Sequence, residues 1–263
     1  MDAFQVEELR LYFGDDIKIA DGVVLRNPKV QNIVEYGESK YFSLAQTIAT
    51  TPSAFKVQLD AMGLDWEKVS DFQLFMMLCK QLKQEDTEIL LGDLDLSQLN
   101  PYQMGDSDKI VLSNEDHTIN IDEIVYEMLA SYVRKMHNFH KQVDKAGNRA
   151  AHRALLMAAK QDAKIAASKP HKSFLKPIIS AVKCRMGYTM DYIKGMNIYE
   201  VLDDLSRLNV ITQADAALSG CYSGMVDSSK MDRTILDWTR DTTEEANLEK
   251  QNRSNKKLTQ GAN

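Results

Sequence analysis

Apolar residues recur along most of this chain at steps of three and four residues, the spacing of one face of an α-helix. The main stripes begin near residues 30, 54, 72, 124, 174 and 198. Gly37 lies between two stripes and predicts a break between two helices. Two segments, residues 9–26 and 87–121, depart from the helical spacing. The pattern predicts a mainly α protein: a helical bundle with a small N-terminal β unit and a β-hairpin insertion near residues 87–121.

The two departing segments are rich in β-prone residues. Residues 9–26 contain the runs LRLYF, DIKI and VVLR, and Asp21-Gly22 between the last two suits a two-residue hairpin turn. Residues 87–121 contain the runs TEILLGDLDLSQL, DKIVLS and HTINI, which are separated by turn-forming residues. We expect strands in each of these runs, with a turn at Gly92-Asp93 inside TEILLGDLDLSQL.

Residues that cap helix N-termini precede two of the apolar stripes. Ser70 stands before FQLFMMLCKQLKQ, and Asp122 stands before EIVYEMLASYVRKMHNFHKQVDK. Cys79 falls on the apolar face of the first helix, so we expect a small buried residue there and not a nucleophile.

Charge is distributed unevenly along the chain. Residues 1–124 carry 23 Asp and Glu against 10 Lys and Arg, and residues 125–187 carry 3 against 13. Residues 188–263 carry 12 against 9, so the net charges are −13, +10 and −3. A strongly basic segment between acidic ones is typical of an interaction surface.

The charge and the apolar pattern together predict three domains. Residues 1–124 form an acidic α+β domain that includes the β insertion. Residues 125–241 form a helical domain with a basic segment at 134–185. Residues 242–263 are polar and are expected to be a disordered tail.

The basic segment has three possible uses. It can be a solvated helix face or pair with the acidic half of the same chain, it can bind a protein partner, or it can neutralise nucleic-acid phosphates. Residues 147–172 are rich in Ala, Lys and Arg and predict a helix that buries little surface, without the aromatic residues that a single-strand binder stacks on bases. The candidate contact residues are Arg134, Lys135, Arg149, Arg153, Lys160 and Lys164.

Sequence motifs of catalysis and cofactor binding are missing from this chain. It has no GxxxxGK[ST], GxGxxG, HExxH or GxSxG motif. His137 and His140 are spaced to share a metal on one helix face, but no further ligand stands at a suitable spacing, so surface or partly packed imidazoles of near-neutral pKa are expected. We therefore expect a protein that is not an enzyme, with no catalytic residue, metal ligand or cofactor.

The sequence also has no pattern of secretion or membrane insertion. Its three cysteines are widely spaced, which favours reduced thiols. The N-terminus MDAFQVEELR is acidic, and no run reaches the ~18 apolar residues of a membrane span. We expect a soluble intracellular protein that does not contact a membrane.

Two short motifs resemble a known group of proteins. Residues 33–41, IVEYGESKY, fit I-x-[ED]-x-G-x-x-x-Y, and residues 187–192, GYTMDY, fit G-[YW]-[ST]-x-[DE]-Y. Both are similar to motifs of tailed-bacteriophage proteins encoded among tail and baseplate genes, the second to one of tail assembly chaperones.

The resemblance implies a non-catalytic structural or assembly protein that acts in tail or baseplate assembly through protein–protein contacts. It would be either an assembly chaperone or a virion component, present in the host cytoplasm during assembly and, as a virion component, in the virion tail. Its partners would be other tail or baseplate proteins and further copies of itself, since acidic and basic parts of one chain favour contact between copies. The alternative is a nucleic-acid-binding protein that uses the basic segment 134–185.

Overall fold

A computed structural model describes residues 6–103, 109–170, 172–225, 227, 229 and 231–240. The predicted mainly α fold class is confirmed: these residues form helices with one two-stranded and one three-stranded antiparallel sheet. The α-helices are α1 Glu8–Tyr12, α2 Val30–Tyr36, α3 Glu38–Ile48, α4 Lys56–Ala61, α5 Asp71–Cys79, α6 Gln84–Leu91, α7 Glu123–Met136, α8 Arg149–Ser168, α9 Leu175–Met186, α10 Met190–Gly195 and α11 Ile198–Tyr222. The strands are β1 Ile17–Ala20, β2 Val23–Leu25, β3 Asn100–Gln103, β4 Ile110–Ser113 and β5 Asn120–Ile121.

The chain divides into two units, Met1–Val201 and Leu202–Asn263. Residues 124 and 125, the predicted domain boundary, both lie in the first unit. The predicted disordered tail at 242–263 lies outside the described residues.

The predicted β unit near the N-terminus is a hairpin preceded by a helix. Strands β1 and β2 pair antiparallel, with Ile17 opposite Leu25, and buried apolar residues alternate with exposed residues along both strands. The sequence predicts a strand in the run LRLYF, and this is wrong, because its first four residues lie in helix α1 and Phe13 caps the end of that helix. Only Leu11 of this run is buried, whereas Leu9 and Phe13 are exposed, so the run lacks the alternating buried face that favours a strand.

Residues 30–79 form the predicted helices. Gly37 separates α2 from α3 with a φ of +103°, a conformation that glycine adopts without a steric penalty. The Ser70 side chain accepts a hydrogen bond from the backbone N–H of Gln73, whose side chain accepts one from the Ser70 N–H. Cys79, at the end of α5, is buried, and burial raises the pKa of its thiol.

The insertion after α5 is less β-rich than the sequence predicts. The sequence predicts strands around a turn at Gly92-Asp93 in TEILLGDLDLSQL, and this is wrong, because TEILL lies in α6 and Leu96–Gln98 form a 3-10 helix. Thr87, Leu90 and Leu91 are buried, and their steps of three and one place them on one side of a helix. The strands begin only at β3, and the sheet order is β3-β4-β5.

Helix α7 lies at the centre of the first unit. Asp122 caps it by accepting a hydrogen bond from the Val125 N–H at 2.8 Å, as predicted. The helix contacts α3, α5, β1 and β5. Tyr126 of α7 is buried and stacks on Phe75 of α5 with 4.5 Å between ring centroids.

In the second unit, the segment after α11 is fastened by two arginines. Arg207 donates a hydrogen bond to the carbonyl oxygen of Trp238, and Arg240 donates to the side-chain oxygen of Gln213. A 3-10 helix, Arg233–Leu236, precedes these contacts. None of the helices among the described residues combines the length and the apolar character that crossing a membrane requires.

Candidate interaction surface on helix α8

Helix α8 has a strong local basis in the sequence. Its 20 residues are mostly Ala, Lys, Arg, Leu and Met, which have the highest helix propensities. The Oδ1 of Asn148 accepts a hydrogen bond from the Ala151 N–H at 2.9 Å, which caps the N-terminus. Pro170 follows the end of the helix and cannot continue it. The helix is therefore about 30 Å long.

Four of the predicted contact residues lie on one side of this helix. Successive residues of an α-helix are rotated by about 100°, so steps of four, seven and four return to nearly the same direction. The four side chains fall within an arc of about 60° and extend about 22 Å along the axis. All four residues are exposed. We call this set the basic stripe, and it consists of Arg149, Arg153, Lys160 and Lys164.

Among the described residues, one cation of the basic stripe has an ion-pair partner. The Nζ of Lys160 lies 2.7 Å from the Oδ2 of Asp60, and both side chains are about half exposed. Within the described ranges, no ion pair or side-chain hydrogen bond involves Arg149, Arg153 or Lys164. These three residues leave exposed positive charge along the helix.

Arg134 and Lys135 lie elsewhere. Arg134, predicted as a contact residue, is only 3% exposed, and its guanidinium lies 3.3 Å from the Oε1 of Glu127 and donates to the Ala49 carbonyl oxygen. Lys135 is half-buried and forms an ion pair with Glu8 at 2.8 Å. Arg134 therefore belongs to the interior, and neither residue extends the basic stripe.

The early part of the basic segment pairs with acidic residues of the same chain. Lys141 lies 3.0 Å from the Oδ2 of Asp71 and 2.8 Å from the Oε1 of Glu127. Burial opposes the charged form of Lys141, but these hydrogen bonds outweigh it and raise the pKa of the ammonium group. Arg134, Lys135 and Lys141 thus form ion pairs within the chain. In the basic stripe, Lys160 alone does so within the part of the chain that the structure describes.

The N-terminal half of helix α8 packs against the rest of the first unit. Leu155 packs against a buried apolar cluster of Leu59, Trp66 and Leu74, and the helix contacts α4. The imidazole of His152 stacks on the Trp66 indole, with centroids 5.2 Å apart and planes 14° apart. Nevertheless no residue of α8 is buried.

The contact between His152 and Trp66 brings two carboxylates to the same imidazole. The Nε2 of His152 lies 3.3 Å from the Oδ1 of Asp65 and 3.9 Å from the Oε2 of Glu67. The three ligand atoms lie within 4.8 Å of one another, so they could hold one metal ion. Sequence reasoning missed this cluster because Asp65 and His152 are 87 residues apart and belong to no motif.

His137 is buried and is not the surface or partly packed histidine that the sequence predicts. Its imidazole is 2% exposed and is held between the Val133 carbonyl oxygen and the Tyr41 hydroxyl, each at 2.7 Å. Burial lowers the pKa of His137 to about 4, not the near-neutral value expected, because a charged imidazole is poorly solvated in the interior. Both ring nitrogens are engaged, so His137 is not placed to share a metal with His140.

Residues 167–243 match a family model described as the YomV second domain. The matched range begins at the end of α8 and includes α9, α10 and α11. It also includes residues 187–192, the second of the two motifs noted in the sequence. No curated protein and no solved structure matches the chain.

Proposed function

We propose that this chain is a non-catalytic structural or assembly protein of a tailed bacteriophage and acts in tail or baseplate assembly through protein–protein contacts. Two observations support a phage role. The domain family matched by residues 167–243 is phage-associated. Residues 33–41 and 187–192 resemble motifs of phage tail proteins.

The observation that carries the contact role is the exposure of helix α8. In proteins, most of the stability of a helix comes from packing an apolar face against the rest of the chain and not from helix propensity. Helix α8 buries none of its residues and presents the basic stripe instead. Such a helix suits docking against an acidic surface, since complementary charge speeds encounter and fixes orientation.

Two kinds of acidic partner fit this surface. Residues 1–124 have a net charge of −13, so a second copy of the chain can supply the complement. Contact between two different surfaces of identical chains produces rings or filaments. Another tail or baseplate protein with an acidic surface would serve equally. The protein would act in the host cytoplasm during assembly and could stay in the virion tail.

Charge reversal within the encoding phage tests this proposal. The variant R149E/R153E/K164E reverses the three cations of the basic stripe that have no ion pair among the described residues. The control K176E/K183E/R185E makes the same charge change at exposed positions of α9. We expect electron microscopy to show capsids without complete tails for the stripe variant and normal particles for the control. Normal tails in a phage that lacks the whole gene would contradict the proposal.

Light scattering after size exclusion tests contact between copies. We expect the purified wild-type chain to form a discrete oligomer, and the stripe variant to form a smaller species at the same concentration. The α9 control should behave as the wild type. A wild-type monomer that binds an acidic tail protein would leave the assembly role intact and assign the surface to a different partner.

Nucleic-acid binding is the second candidate, and the basic stripe is the observation that favours it. If all four cations contact duplex phosphates, the logarithm of the affinity should fall against the logarithm of salt with a slope of about −3.6. Raising salt from about 50 mM to about 200 mM would then weaken binding about 150-fold. A fluorescence anisotropy titration with duplex DNA measures this, and the stripe variant should lose the binding.

A further inference from the structure

We propose that Asp65, Glu67 and His152 bind one divalent first-row transition-metal ion, with Zn²⁺ as the reference ion, and that this ion fastens α8 to residues 65–67. The geometry carries the proposal. The donor atoms come from two segments far apart in the chain and converge on one point. The Nε2 of His152 lies 3.3 Å from the Asp65 Oδ1 and 3.9 Å from the Glu67 Oε2.

These separations fit a shared ion. With ligand bonds of about 2.1 Å, two ligands on one ion are about 3.0–3.5 Å apart. The Nε2–Oδ1 distance, which is that of a hydrogen bond when no ion is bound, already lies in this range, and a neutral His152 would bind the ion through Nε2 with its ring proton on Nδ1. The Nε2–Oε2 distance of 3.9 Å must shorten by several tenths of an ångström, and the three donor atoms lie within 4.8 Å of one another, so the partly exposed Glu67 side chain must move toward the other two ligands.

Neighbouring groups orient all three ligands. The Oε1 of Glu67 accepts a hydrogen bond from the Ala146 N–H at 2.8 Å, which leaves Oε2 on the side of the imidazole. The Oδ1 of Asp65 accepts a hydrogen bond from the Glu67 N–H at 3.2 Å. The stacked indole of Trp66 fixes the ring plane of His152. Such outer contacts are what metal ligands use to hold their geometry.

The donor set selects the class of ion. One imidazole nitrogen and two carboxylate oxygens are typical ligands of Zn²⁺ and related ions, whereas Ca²⁺ and Mg²⁺ prefer oxygen alone. Three protein ligands leave a position for water. The two carboxylates supply the charge that a dication needs, and Lys68, 3.7 Å from the Asp65 Oδ2, is mostly exposed and thus well screened.

The position of the site gives the ion a structural task. His152 lies in the N-terminal part of α8, near the contact of Leu155 with the apolar cluster. Apart from these contacts, α8 is attached through the exposed pair of Lys160 and Asp60. A bound ion would link the N-terminal part of α8 to residues 65–67 and would thereby fix the orientation of the basic stripe.

Isothermal titration calorimetry of the full chain with Zn²⁺ tests the site, alongside thermal unfolding with and without the ion. We expect one ion per chain and a rise in the unfolding temperature. The variants H152A and D65N/E67Q should each weaken binding on the order of tenfold or more and lose the rise. The controls H140A and D162N change an exposed histidine and an exposed α8 carboxylate, and they should bind as the wild type.

Three results would overturn the proposal. One is no one-to-one binding of Zn²⁺ up to about 1 mM. Another is binding that survives in H152A and D65N/E67Q, and a Co²⁺ spectrum with thiolate bands would then assign it to Cys184 or Cys221. The third is one-to-one binding of Zn²⁺ that leaves the unfolding temperature of the wild-type chain unchanged, because the ion would then not hold α8 to residues 65–67. If H152A fails to fold by circular dichroism, D65N/E67Q decides the outcome.

Discussion

The hydroxyl of Tyr41 donates a hydrogen bond to the Nε2 of His137, with 2.7 Å between the two atoms. The direction follows from the other ring nitrogen. The Nδ1 of His137 faces the carbonyl oxygen of Val133, which can only accept, so Nδ1 carries the proton and Nε2 is the acceptor. Both side chains are buried, and the aromatic rings of Phe42 and Phe139 lie beside the imidazole. The interior therefore holds His137 neutral.

This neutral histidine makes the protein sensitive to acid. The pKa of His137 is about 4 in the folded chain and about 6.5 in an unfolded one. Between these values the unfolded chain binds a proton that the folded chain does not, so the free energy of unfolding falls as the pH is lowered. The full loss is about 3 kcal/mol and is complete near pH 4. Above pH 6.5 this contribution is constant.

Urea unfolding at several pH values between 7.5 and 4 measures this loss. His137→Gln should be less stable than the wild type at pH 7.5, but its stability should fall less steeply below pH 6.5. His140→Gln, at an exposed position, should keep the wild-type slope. Equal slopes for His137→Gln and the wild type would show that the buried imidazole is not the titrating group.

The contrast between Arg134 and Arg153 gives a second prediction. Arg134→Met removes a buried guanidinium that bonds to the Ala49 carbonyl oxygen and pairs with Glu127, and it should cost about 3 kcal/mol of unfolding free energy. Arg153→Met removes an exposed cation and should change stability by less than about 0.5 kcal/mol. Chemical denaturation of both variants checks this. Equal losses would mean that the two arginines do not differ in environment.

Local signals were sufficient to predict much of the fold. The caps at Ser70 and Asp122, the break at Gly37 and the turn at Asp21-Gly22 all depend on neighbouring residues, and the structure has each of them. The errors concern short apolar runs. LRLYF and TEILL are too short for periodicity to distinguish a strand from a helix, and tertiary packing decided both.

The candidate interaction surface and the metal cluster were less predictable, because tertiary packing decides them too. The spacing of the basic stripe along one helix is local, so the sequence alone predicts all four of its residues. The burial of Arg134 depends on Ala49, 85 residues away, and the cluster at His152 depends on Asp65, 87 residues away. Such pairings depend on how distant segments pack against one another, and charge counts along the sequence do not show this.

Gly22 provides a third prediction, at the turn between β1 and β2. Its φ is +73°, and a Cβ added there would lie 2.7 Å from the Cγ1 of Ile119. Gly22→Ala should therefore destabilise the chain by about 1–3 kcal/mol, through backbone strain and the contact with Ile119. Gly147→Ala is the matched control, because a Cβ there meets nothing within 4 Å. Thermal unfolding compares the two, and a neutral Gly22→Ala would argue against close packing of this turn on Ile119.

Hydrogen exchange along α8 provides the last prediction. Residues 149–159 include His152 and Leu155, which contact Trp66 and the apolar cluster, whereas every residue from 160 to 168 is exposed. Local opening is easiest where few apolar contacts hold a helix, so amides of 160–168 should exchange faster than those of 149–159. Both should exchange faster than amides of α7, which lies in the core. Mass spectrometry of peptides from these ranges measures the rates. Uniform protection along α8 would mean that its C-terminal half is held as firmly as its N-terminal half. When a partner binds the basic stripe, the amides of 160–168 should gain the most protection.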